Sequence, residues 1–146
     1  MKHKIGIAAV ALTLSLPWPA LADAIQATLY KMPQCGCCEG HAAHLRENGF
    51  AVEVKETAEL SQMSAAAGIP PELEGCHTIF VDGYVVGGHV PADVIKKMLE
   101  ERPAIAGITL AGMPLGSPGM DGEKTEPFVI YAVTKDGAPP TVYATE

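Results

Sequence analysis

Three of the four cysteines lie within four positions, in the sequence C-G-C-C at residues 35–38. Cys35 and Cys38 have the C-x-x-C spacing of a redox pair, and the start of a helix lowers the pKa of thiols beside it. Low-pKa thiolates are nucleophiles and also metal ligands, so position alone leaves both functions open. Cys37 favours a metal site, because three thiolates on one tight turn suit a soft ion. The alternative is a structural disulfide, from Cys35 to Cys38 or from either to Cys76.

Histidines near this turn are further candidates. His41 and His44 fall one and two turns after Cys37 on a predicted helix, where either would orient a thiolate. The alternative is a solvated His41 and a packed His44. His89 precedes another predicted helix, where it would ligate a metal or satisfy backbone groups.

Met113 and Met120 bracket a loop rich in Gly and Pro, G-M-P-L-G-S-P-G-M, at residues 112–120. Each Pro fixes φ near −65°, so we predict a shaped loop rather than a helix or strand. Thioethers prefer Cu(I) to hard ions. We therefore predict that the loop folds over residues 35–38, called the Cys turn below, with one Met able to approach the metal. The alternative is that both Met side chains pack against the core.

The elements that must position these residues follow from hydrophobic periodicity and turn signals. In chain order, the predicted elements are a strand (27–30), a helix (38–48), a strand (50–54), a helix (56–67, with Thr57 as N-cap), two hairpin strands (78–81 and 84–86), a helix (91–101) and two further strands (128–133 and 141–144). This order is thioredoxin-like, so we predict an α/β (α+β) fold with a mixed sheet flanked by helices. The C-terminal Gly/Pro loop and an extra β-hairpin are additions to it.

The predicted fold brings the fourth cysteine, Cys76, near the other three. In a thioredoxin-like domain, the loop that enters the strand at 78–81 lies against the C-x-x-C turn. Cys76 would therefore complete a four-thiol set. His77 would add an imidazole ligand or serve as a hydrogen-bonded loop residue.

Length and charge exclude several classes of protein. The 146 residues amount to one domain, and an apolar content of 48% excludes a disordered polar chain. Ten Lys and Arg residues against 17 Asp and Glu residues give a net charge of −7. We expect no nucleic-acid partner, because phosphate contacts need clustered basic residues.

The first 22 residues have the pattern of a secretory signal peptide. Lys2 and Lys4 precede an apolar run at 5–16, and Ala20-Leu21-Ala22 offers a cleavage site. The run is shorter than the roughly 20 residues that span a bilayer, so we expect no stable membrane insertion. We predict a signal peptide at 1–22, a single domain at 23–146 and a periplasmic location.

Four blocks together resemble the periplasmic CopG-like copper-resistance, metal-binding family: Y-K-M-P-Q-C-G-C-C, G-C-H-T, V-D-G-Y-V-V-G-G-H-V-P-A and G-M-P-L-G-S-P-G-M. The resemblance implies a thioredoxin-like fold and copper bound by thiolates. The metal-site residues that the resemblance implies are Cys35, Cys37, Cys38, Cys76, His77, His44, Met113 and Met120. His89 stands at the family's G-H-V-P-A histidine.

The function expected is a periplasmic protein that holds Cu(I), as one ion or several, in copper handling or resistance, with copper redox activity as a further expectation. Its partners would be copper ions and other periplasmic copper proteins. The alternative is a thiol–disulfide oxidoreductase of protein substrates, in which Cys35 attacks and Cys38 resolves as catalytic residues. A thioredoxin would carry a Pro where this chain has His77-Thr78, which counts against that alternative. A disulfide-stapled interaction module is a third hypothesis.

Overall fold

The structure, a computed structural model, describes residues 23–146. The predicted signal peptide at 1–22 lies outside these residues. Within the described part of the chain, no helix is long and apolar enough to cross a membrane. The elements are β1 (Ile25–Lys31), α1 (Gly36–Glu47), β2 (Phe50–Glu56), α2 (Leu60–Ala66), a 3₁₀ turn (Pro71–Leu73), β3 (His77–Val81), β4 (Tyr84–Gly87), α3 (Ala92–Glu101), β5 (Gly107–Leu110), β6 (Val129–Val133) and β7 (Thr141–Thr145).

The seven strands of residues 23–146 form one mixed sheet in the order β2-β1-β3-β4-β5-β6-β7. The β1–β2 and β4–β5 pairs are parallel and the other four are antiparallel. This confirms the predicted α/β fold with a mixed sheet. The narrower thioredoxin-like assignment and the single-domain assignment of 23–146 stay predictions.

Beyond small shifts in element ends, the structure differs from the sequence prediction in two places. β2 continues to Glu56, because it pairs with β1 as far as Lys31, and α2 therefore begins at Leu60 rather than at 56. Thr57 does not cap that helix; its hydroxyl accepts the Glu59 N–H at 3.1 Å in the preceding turn. The second difference is β5, a fully buried four-residue strand to which the sequence analysis assigned no element.

Apolar side chains at helical spacing hold α1 and α3 against the sheet. α1 buries Cys38, Ala42 and Leu45, and α3 buries Ile95 and Met98, among others. Each fully buried Leu, Ile or Met contributes about 1.5–3 kcal/mol, so this packing fixes both helices firmly. It follows that the first turn of α1, which carries the cysteines, is held in place by the core.

The pairing of β1 with β3 brings Cys76 to the Cys turn. Lys31, the last residue of β1, is paired with His77, the first residue of β3. The chain after Lys31 leads into the Cys turn, and the chain before His77 carries Cys76. Lys31 is itself buried, and its ammonium lies 3.4 Å from the Glu39 carboxylate and 3.3 Å from that of Glu56.

Candidate metal centre

The Cys turn begins at the N-terminus of α1. Cys35 is the N-cap residue, with extended backbone (φ −78°, ψ 95°) and no side-chain capping bond. Cys37 and Cys38 therefore occupy the first helical turn. Cys35 and Cys38 are joined by a disulfide, whereas Cys37 and Cys76 are free thiols.

The four cysteine sulfurs converge. The Cys37 Sγ atom lies 3.5 Å from that of Cys35 and 3.6 Å from that of Cys76. The Cys76 Sγ atom lies 3.5 Å from that of Cys38, although the two residues are 38 positions apart. Thiolates that share one ion lie within about 4.6 Å of each other, since metal–sulfur bonds are near 2.3 Å. All three separations fit that limit.

Two imidazoles also approach Cys76. The Cys76 Sγ atom lies 3.3 Å from His77 Nδ1 and 3.0 Å from His89 Nε2. Both histidines are fully buried. His89 reaches this position because Gly88, at φ +68°, turns the chain where β4 ends. A side chain at Gly88 would also collide with the Leu110 carbonyl oxygen, so the turn requires glycine.

A third imidazole lies behind His77. The Nδ1 atom of His41 is 2.7 Å from His77 Nε2, and its Nε2 atom is 2.9 Å from the Val90 carbonyl oxygen. His41 is fully buried on α1. This corrects the alternative of a solvated His41.

Burial keeps the imidazoles neutral. It lowers the pKa of His41 to about 3, and it also lowers the pKa of His77 and His89. Burial, with a smaller effect of the neighbouring Cys37, raises the pKa of the Cys76 thiol to about 12. At neutral pH the nitrogens are therefore in their ligand form, and Cys76 must lose a proton when it binds a metal.

The Gly/Pro loop lies against α1 beside the cysteines. A Cβ atom on Gly40 would lie only 3.0 Å from the Gly119 Cα atom, so the two backbones touch. Met120 lines a cleft together with Cys37, Leu115 and other residues. Met113, at 52% exposed, does not line that cleft. Of the two loop methionines, only Met120 thus lies beside a cysteine of the cluster in this structure.

His44, a predicted ligand, is not among the converging side chains. Its Nε2 atom accepts the Ala92 N–H at 3.3 Å, at the start of α3. The sequence leaves His89 either as a ligand or as a residue that satisfies backbone groups, and the structure places it against Cys76. The signal that could have favoured it is the Gly87-Gly88 pair before it, because such a pair permits a sharp turn.

The converging residues form two overlapping sets, each with ligand atoms close enough together to hold a metal ion. One set is Cys35, Cys37, Cys38 and Cys76, and the other is Cys76, His77 and His89. Within each set the ligand atoms lie within 4.8 Å of one another. Cys76 belongs to both. Sulfur and imidazole donors without carboxylates suit copper or zinc and do not suit hard ions such as Mg²⁺ or Ca²⁺.

Comparisons with known proteins agree with this donor set. Residues 73–120 match a family described as a protein of unknown function, DUF411. Curated protein sequences give no match. Two solved structures, described as forms 2 and 1 of copper resistance protein CopG, superpose with TM-scores of 0.77 and 0.76.

Both CopG structures are 35% identical to this chain, and each alignment covers 84% of this chain and 98% of the other. The matched part therefore includes nearly the whole of each solved chain. Cys76, His77, His89 and Met120 also lie inside the matched family segment. Sequence identity, fold and donor set thus agree, and the chain belongs to the CopG family of copper resistance proteins.

Proposed function

We propose that this protein binds copper as Cu(I) through the cysteine and histidine cluster, as its cargo in copper resistance. The observation that carries the proposal is the convergence of four sulfurs and two imidazole nitrogens around Cys76. Thiolates prefer Cu(I), and imidazole is a good copper ligand. The described residues offer this donor set within bonding reach of shared ions.

The proposed residues are those that the geometry brings together. They are Cys35, Cys37, Cys38, Cys76, His77 and His89, with Met120 as a soft donor in the adjoining cleft. Because Cys76 belongs to both ligand sets, its thiolate is placed to bridge two ions. The proposed site therefore holds more than one copper ion.

Copper binding by all four cysteines requires the Cys35–Cys38 disulfide to be reduced. That reduction takes two electrons and two protons and yields two thiols. In the reverse direction, two thiolates that form the disulfide release two electrons, which is the number that reduces two Cu(II) ions to Cu(I). Copper redox coupled to this thiol pair is therefore part of the proposal, and so is a periplasmic location, in which both copper and disulfides are encountered.

The decisive experiment is a Cu(I) titration of reduced protein, residues 23–146, in competition with a Cu(I) chelator. The wild type is expected to bind tightly with more than one ion per chain. A Cys37→Ser variant is expected to lose both affinity and stoichiometry, because Cys37 links the sulfurs of Cys35 and Cys76. Equal affinity and stoichiometry in the variant would show that the cysteine cluster does not hold the copper.

A zinc titration serves as the matched control for metal identity. Zinc accepts cysteine and histidine ligands, but it does not undergo redox change. Preference for Zn²⁺ over Cu(I) in a direct competition would contradict the copper assignment while leaving the site itself intact.

The Cys35–Cys38 disulfide at the start of α1 favours a second candidate, a thiol–disulfide oxidoreductase. In that function the Cys35 thiolate attacks a substrate disulfide and Cys38 then displaces the substrate thiol. Reduction of a model protein disulfide by the metal-free protein, lost in Cys38→Ser and retained in His89→Gln, would favour this candidate. The copper function would be favoured if the metal-free wild type reduces no disulfide and the two variants bind copper more weakly than the wild type.

A further inference from the structure

Among the described residues, His41 is a buried histidine that neither ligand set includes. It lies on α1 between the Val90 carbonyl oxygen at 2.9 Å and His77 Nε2 at 2.7 Å. Its ring does not reach a cysteine, so it has no direct role in binding a metal. Its two hydrogen bonds nevertheless determine where the protons of the neighbouring ring lie.

The proton positions follow from the Val90 carbonyl, which can only accept. His41 must therefore donate from Nε2, and because the ring is neutral its Nδ1 atom carries a lone pair. That lone pair can only accept, so His77 donates from its own Nε2–H. His77 Nδ1 is then left with a lone pair, and this atom lies 3.3 Å from the Cys76 sulfur.

We propose that His41 is a positioning residue that fixes His77 in the Nε2–H tautomer and so presents the Nδ1 lone pair to Cys76 and to a metal bound there. The proposal rests on the proposed copper function for its consequence, but the tautomer itself is a property of the metal-free protein. Outer hydrogen bonds of this kind set the orientation and basicity of a ligating imidazole.

His89 has the same arrangement with a simpler partner. Its Nδ1 atom lies 2.7 Å from the Pro118 carbonyl oxygen, which accepts its proton, so its Nε2 lone pair faces Cys76. A backbone carbonyl does this directly for His89. For His77 the Nε2 atom faces His41, which transmits the effect of the Val90 carbonyl, and the Gly88 backbone also hydrogen-bonds to the His77 ring.

Two substitutions separate positioning from simple packing. In His41→Gln the amide NH₂ can donate to Val90 and the amide oxygen can accept from His77, because its oxygen and nitrogen are spaced much as the two ring nitrogens are. In His41→Leu the side chain still fills the core but offers no acceptor. Long-range proton–nitrogen NMR spectra of reduced, metal-free protein identify the protonated nitrogen of His77 in each.

We expect Nε2–H on His77 in the wild type and in His41→Gln, and a shift towards Nδ1–H in His41→Leu. Cu(I) affinity is expected to fall about 10- to 100-fold in His41→Leu and to be restored in His41→Gln, since that is the usual effect of losing an outer hydrogen bond. The measurement of the His77 tautomer in the wild type does not depend on whether either variant folds.

A proton on Nδ1 of His77 in the wild type would overturn the proposal, and so would equal Cu(I) affinities in the Leu and Gln variants. Wild-type protein that binds no Cu(I) but shows the Nε2–H tautomer would instead contradict the proposed function alone. The two failures are thus distinguishable.

Discussion

The Nε2 atom of His89 lies 3.0 Å from the Cys76 sulfur, with its other nitrogen hydrogen-bonded to the Pro118 carbonyl. The Nδ1 atom of His77 faces the same sulfur from 3.3 Å. With both rings oriented by their outer partners, two lone pairs meet one thiol, which has one proton to donate. One lone pair therefore lacks a donor from Cys76, and a bound cation would satisfy both.

The first prediction tests His89 against His44. His89→Gln is expected to weaken Cu(I) binding at least about tenfold, because it removes an imidazole aimed at Cys76. His44→Gln is the matched control, since His44 caps α3 through the Ala92 N–H and does not face the cysteines. Chelator competition measures both. Equal effects of the two substitutions would contradict the assignment of His89.

The second prediction concerns pH. The pKa of Cys76 is raised to about 12, so its thiol is protonated at neutral pH and must release that proton on binding copper. Cu(I) affinity is therefore expected to rise with pH by up to about tenfold per unit for each proton released. Calorimetric titration in buffers of different ionisation enthalpy counts the protons. Affinity that does not change between pH 6 and 8 would mean that no thiol proton is displaced.

The third prediction concerns acid stability of the metal-free protein. The pKa of His41 is about 3 when folded and has an ordinary value of 6.5 when unfolded. Between these values the unfolded chain holds the extra proton, so this contribution is complete above pH 6.5 and is lost as the pH falls towards 3. The loss is about 2 kcal/mol between pH 6.5 and pH 5.

Urea unfolding at several pH values measures this contribution. His41→Gln removes the titrating group, and its free energy of unfolding is expected to depend less steeply on pH in that range. Parallel slopes for the variant and the wild type would show that His41 is already accessible to protons in the folded state.

The fourth prediction compares two glycines of α1. Gly40→Ala is expected to displace the Gly/Pro loop, because the new methyl group would meet the Gly119 backbone at 3.0 Å. Gly36→Ala has no atom within 4 Å of the new methyl group and serves as the control. Alanine otherwise favours a helix over glycine by about 0.5–1 kcal/mol. Limited proteolysis within 112–122 should increase only in Gly40→Ala, and a stabilised Gly40→Ala with an intact loop would contradict the contact.

The fifth prediction separates the two methionines of the loop. Met120 shares a cleft with Cys37, whereas Met113 is exposed and does not line that cleft. Met120→Leu is expected to speed the transfer of Cu(I) to a chelator, because it removes a thioether donor beside the Cys37 thiol. Met113→Leu should leave the rate unchanged. Stopped-flow transfer to a coloured chelator measures both, and identical rates would favour the packing role for Met120.

Local signals in the sequence were sufficient for most elements but not for their exact ends. The predicted hairpin strands at 78–81 and 84–86 flank Asp82-Gly83, a dipeptide typical of two-residue hairpin turns, and the structure confirms their antiparallel pairing. The start of α2 was wrong because the pairing of Glu56 with Lys31 extends β2 beyond its local pattern. β5 was missed because Gly107–Leu110 is short and buried on both faces, so it shows no alternation.

In the candidate site, too, local sequence predicts some residues and the fold determines the others. The Cys turn could be read from residue spacing, because its cysteines are neighbours in the chain. The approach of His41 and His89 could not, since it depends on where α1 and β4 lie in space. The sequence therefore indicated which kinds of ligand to expect, whereas the choice of His89 over His44 required the fold.

The separation of 38 positions between Cys38 and Cys76 has a consequence for stability. An ion held by both sulfurs would act as a cross-link that closes this long segment, which contains most of α1 and all of β2 and α2. Closing such a loop removes freedom from the unfolded chain but little from the folded one. Copper loading would then slow global unfolding and protect the segment from proteases, and it would couple the lifetime of the bound ion to the lifetime of the fold.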